Sequence, residues 1–110
     1  VKVGVFFVGG SGAYARFNTT TKEWQHLTAD EIMSFNLTDP ARFAGLTNGR
    51  ETLCANGKDD LLVGLAAAER LQDAFSEPHT NIWFEGGHGE TPDLVFQQAR
   101  ELFTKAFASN

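Results

Sequence analysis

The chain has 110 residues, a formal net charge of −5 and 42% apolar residues, ten of them phenylalanine. That length bounds one domain able to bury a core without staples, and the apolar share excludes a disordered chain. The acidic balance excludes nucleic acid and anionic membrane as default partners, since both repel net negative charge.

A basic protein surface is a more natural partner, though the charge also serves solubility. The single cysteine, Cys54 in "ETLCA", excludes an internal disulfide. It reads as a small core residue, and no zinc site can be built from it and the scattered histidines. No leader pattern is evident and no apolar run reaches membrane length, so the expected compartment is the cytoplasm.

Residues 1–8, "VKVGVFFV", are β-branched and aromatic without alternation, which predicts a strand covered on both faces. "AYARF" (13–17) and "EWQHL" (23–27) read as two further strands, separated by the turn-like "NTTTKE". Thr28-Ala29-Asp30-Glu31 is a capping box, and Ile32, Met33 and Phe35 supply the apolar side of the short helix it opens. In "TDPARFAG" Asp39 caps, Pro40 occupies the first turn and Gly45 ends a second short helix.

"RETLCA" predicts a buried strand closed by Asn56-Gly57. Asp59 or Asp60 then caps a helix predicted over 59–76, with Leu61, Leu65, Ala68, Leu71 and Phe75 forming one apolar stripe. "TNIWFE" is a strand and "GGHGE" a glycine-rich loop. Thr91-Pro92-Asp93 opens a last helix over 91–107, its stripe running from Val95 to Ala106. The order predicts a single α+β domain over 1–110. Its sheet has about five strands, mixed but mainly antiparallel, with the two long amphipathic helices on one face.

The stretch "FFVGGSGAYARF" (6–17) admits three readings. As a hairpin tip, Gly9, Gly10 and Gly12 supply positive φ and Ser11 does no chemistry. As a dinucleotide loop, Gly10-Ser11-Gly12-Ala13-Tyr14-Ala15 matches G-x-G-x-x-A, but "YARFNTTTKEW" is a poor helix for presenting amides to pyrophosphate. As a nucleophile turn, Gly9-Gly10-Ser11-Gly12-Ala13 fits strand, G-x-S-x-small, helix. The hairpin needs the least and ranks first; no cofactor is expected.

Residues 50–107, taken with Gly9–Ala13, resemble the C-terminal third of the α/β-hydrolase family. There a strand delivers the triad acid, a helix follows, the next strand ends in a glycine-flanked histidine, and a helix closes the fold. The resemblance implies Ser11 as nucleophile, His88 as general base and Asp59 (or Asp60) fixing the imidazole tautomer, with the Gly12 amide as an oxyanion donor. It implies ester or amide hydrolysis through an acyl-enzyme. His88 and Glu90 lack a third ligand at suitable spacing, so no metal is expected.

Two function classes therefore stand. The first is a non-catalytic acidic module binding a protein or a small apolar ligand. In it, surplus phenylalanines with Trp24 or Trp83 would cover a sheet face by pairing with a partner or, in a homodimer, a second copy. The alternative is a serine-hydrolase-like enzyme acting through Ser11, Asp59 and His88.

Overall fold

The computed structural model describes residues 2–10, 15–18 and 23–108. The chain runs β1 (Val3–Phe7), β2 (Ala15–Asn18), β3 (Glu23–His26), α1 (Ala29–Thr38) and α2 (Ala41–Ala44). After a 3-10 turn over Gly45–Thr47 it continues as β4 (Glu51–Gly57), α3 (Leu65–Ala74), β5 (His79–Phe84) and α4 (Asp93–Ala108).

The combination of helices and strands is α+β, but the sheet differs from the expected mainly antiparallel one of about five strands. Among the described residues, β1, β4 and β5 form a three-stranded, all-parallel sheet in the order β1-β4-β5. β2 and β3 pair antiparallel in a ribbon of their own. Among the described residues β1 does not pair with β2, so the expected hairpin between them is not formed; residues 11–14 of the glycine stretch lie outside the described residues. Three apolar runs with short spacers suggest a meander. Instead β1 is joined to its parallel neighbour by a long crossover through β2, β3, α1 and α2, as parallel pairing requires.

The two long helices also lie on opposite faces, not on one. Successive side chains of a strand point to opposite faces. In β4, Cys54 packs with Ala44, Leu71 and Phe75, the last two at α3. Its neighbours Leu53 and Ala55 pack instead with Phe84 and with Val95 of α4. β4 is thus sandwiched, and Thr52 through Gly57 are all buried. Its small side chains, Cys54, Ala55 and Gly57, let both layers close onto it. Phe6 and Phe7 divide likewise: Phe6 packs on Phe75 with ring centroids 4.9 Å apart, and Phe7 meets Phe96 of α4 edge-on at 5.1 Å.

The local signals at the helix ends hold with some adjustment. Thr28 and Glu31 form the capping box: Thr28 Oγ1 accepts from Glu31 N, and Glu31 Oε2 accepts from Thr28 N. Asp39 Oδ1 accepts from Ala41 N at the start of α2. The helix predicted over 59–76 begins later, at Leu65. Asp60 caps a tight turn over residues 61–63, and Gly64, at φ 80°, redirects the chain into α3. Leu61 and Leu65 are accordingly exposed, whereas Ala68, Leu71 and Phe75 are buried as the stripe requires.

Candidate active site

The carboxyl ends of parallel strands lie on one edge of their sheet, where ligands gather in such folds. Here that edge brings together the ends of β1, β4 and β5.

The β4 and β5 ends are zipped together by backbone. Lys58 N donates to Phe84 O at 2.9 Å and Asp59 N to Gly86 O at 3.1 Å. Gly57 allows the approach: a Cβ there would stand 2.3 Å from Gly86 O. Gly86 sits at φ 120°, a conformation glycine adopts freely and other residues resist. Glu90 Oε2 accepts from Gly87 N and closes the loop around His88.

This geometry puts the Asp60 carboxylate against the His88 ring. Asp60 is 3% exposed at its side chain, and its Oδ1 accepts from Leu62 N at 2.9 Å and Val63 N at 3.0 Å. Oδ2 lies 2.9 Å from His88 Nδ1. A carboxylate partner can only accept, so it favours the tautomer with the proton on Nδ1, which in the neutral ring leaves Nε2 as the acceptor. The ring is 40% exposed, so a substrate can reach it. The sequence reading names Asp59 first as the partner of His88, with Asp60 as its alternate. In the structure Asp60 makes the contact, and Asp59 is an exposed turn residue.

The β1 end joins the same edge. Val8 N still donates to Ala55 O at 2.8 Å, but Val8 has φ 48°. A β-branched residue in the left-handed region is strained, at about 1–3 kcal/mol. The turn delivers Gly9 and Gly10 onto α3 and the loop before it. A Cβ at Gly10 would stand 2.3 Å from Val63 Cγ1. Val63 is also one of the two residues whose amides hold Asp60. Contacts thus run from the glycine stretch through Val63 and Asp60 to His88. Ser11, Gly12 and Ala13 lie outside the described residues.

Two residues to which the sequence reading gave no role at the site hold this edge in place; Asn56, read as closing the strand, lies within β4. Asn56, fully buried in β4, donates from Nδ2 to Gly9 O at 2.7 Å, and its Oδ1 accepts from Gln72 Nε2 at 3.0 Å. A signal for Asn56 was present: an amide side chain at the end of an otherwise apolar buried run must find partners. Gln72 looked like an ordinary polar position of an amphipathic helix.

No family model matches the chain, and neither does any curated protein or solved structure. Among the described residues, no three His, Cys, Asp or Glu side chains converge as metal ligands. Burial pushes the Cys54 thiol up to about 11. It therefore stays neutral at ordinary pH, unlike a reactive cysteine.

Proposed function

We propose that the edge formed by β1, β4 and β5 is a hydrolytic site for esters or amides. Its reaction is acyl transfer through Ser11, with His88 as general base and Asp60 as its positioning carboxylate. The single observation that carries this reading is the 2.9 Å contact between buried Asp60 and half-exposed His88 at the carboxyl edge of a parallel sheet. The glycine stretch that precedes Ser11 packs against the turn capped by Asp60, and the chain order is serine, acid, histidine.

In this reading His88 Nε2 takes the Ser11 hydroxyl proton as Oγ attacks the carbonyl carbon, then returns it to the leaving group. Water repeats the sequence to release the acid and restore Ser11. Asp60 stabilises the imidazolium without taking a proton. The test is turnover of short-chain nitrophenyl esters. His88→Ala is expected to lower kcat by at least about 100-fold, the contribution of a positioned general base.

A second reading, a non-catalytic module for a protein partner, draws on the exposed apolar residues of α4, including Leu94, Phe96 and Phe103. Absence of ester turnover together with concentration-dependent self-association in sedimentation would favour it.

A further inference from the structure

A second feature opens from the same glycine segment. A cavity of about 390 Å³ lies between the 40–47 segment and the α3 face of the sheet. Gly9 and Gly10 line it on one side, with Phe6, Phe43, Leu71 and Phe75 among its other walls. Leu71, Phe75 and Ala44 are buried beneath it, while Phe6 and Phe43 are 41% and 54% exposed. The floor is therefore built and the rim is aromatic. Among the described residues no charged one lines it. Its volume lies in the range of small-ligand pockets, which are mainly apolar.

We infer that this cavity holds the apolar acyl chain of the substrate, which makes the site one for medium-chain aliphatic esters or amides rather than short polar ones. The occupant follows from continuity and chemistry. The cavity shares Gly9 and Gly10 with the end of β1, and Gly10 packs on Val63, whose amide holds Asp60, so a chain lying in the cavity reaches the edge that carries Asp60 and His88. An apolar wall without a charged lining residue gives no anchor for an ionic or strongly polar group. The assignment as an acyl subsite rests on the hydrolytic reading; the cavity's affinity for an alkyl chain does not.

The experiment separates the two. The full chain, labelled for NMR, is titrated with neutral n-alcohols from butanol to decanol, and the hydrolysis of nitrophenyl esters of matching chain length is followed in parallel. Saturable binding is expected, with the largest shifts at Phe6, Phe43, Leu71 and Phe75. Affinity should rise about fourfold for each added methylene until the cavity is full. Phe43→Ala, which truncates an exposed wall and spares the core, should weaken binding about tenfold. Phe103→Ala, on the opposite face of the sheet, should leave it unchanged.

Shifts centred on Phe96 and Phe103, or binding independent of chain length, would overturn the cavity as an alkyl site. Alkyl binding combined with ester turnover whose KM ignores chain length would overturn its role as the acyl subsite. Alkyl binding with no turnover of any ester would also overturn the acyl role. It would refute the hydrolytic reading while leaving an apolar-ligand pocket in place.

Discussion

Asn56 donates a hydrogen bond to the carbonyl of Gly9 across 2.7 Å, fastening the end of β1 to the end of β4. The bond spans 47 residues and lies against a second one from Gln72. It matters because it adds a directed bond to the packing of Gly9 and Gly10 on Leu71, Val63 and Ala67, just beyond the strained Val8 backbone.

Asn56→Ala removes the donor to Gly9 and the acceptor shared by Gln72 and the Cys54 thiol, leaving three groups short of a partner. The expected loss of stability is about 2–3 kcal/mol, on a domain of ordinary marginal stability. Urea unfolding checks this as a lower midpoint with an unchanged slope. Gln72→Leu should cost less, because Asn56 keeps its bond to Gly9.

Asp60 has two tasks that different substitutions separate. Asp60→Asn keeps an oxygen for the Leu62 and Val63 amides but loses the negative charge beside His88. Ester turnover should fall at least about 100-fold with stability changed by less than about 1 kcal/mol. Asp60→Ala also abandons both amides and should cost about 1–3 kcal/mol by denaturant titration. Equal activity in wild type and Asp60→Asn would remove Asp60 from the mechanism.

Gly57 is a steric requirement of the site. Its substitution by Ala places a Cβ against the Gly86 carbonyl, which is backbone and cannot step aside. The expected cost is about 1–3 kcal/mol, with changed chemical shifts of the His88 ring as the Asp60 contact opens. Gly89→Ala is the control: nothing lies within 4 Å of a Cβ there. Its stability should stay within about 0.5 kcal/mol of wild type.

Cys54 supplies a pH prediction of known sign. Its folded pKa, raised by burial to about 11, lies above the thiol's ordinary value of 9.0. The folded state therefore holds the thiol proton that the unfolded state releases, and stability falls as pH rises from 9 to 11. The loss approaches about 2–3 kcal/mol at the upper end. Cys54→Ala should flatten this part of the stability–pH curve. Ellman's reagent should react with native protein only as fast as the structure opens.

Legibility varied with the range of the interactions involved. The capping box at Thr28–Glu31, the Asp39-Pro40 helix start and the burial of Ala68, Leu71 and Phe75 were readable because each depends on residues within one or two turns. The sheet was not. Whether β1 pairs with β2 or with β4 depends on which long-range partner buries it better, and spacing between apolar runs is silent on that. The small side chains of β4 hinted at a strand enclosed by two helical layers, yet a run such as "TLCANG" suits a one-sided sheet equally well. Asp60 and His88 were visible as candidates. Their contact arises from the Gly57–Gly86 approach, which lies in the backbone.

The most direct test of the central claim is covalent labelling by a fluorophosphonate probe, with the modified residue located by mass spectrometry. The account predicts a single adduct at Ser11, lost on His88→Ala and slowed at least about 100-fold in Asp60→Asn. An unlabelled wild-type protein, or labelling that persists at full rate in His88→Ala, would contradict it.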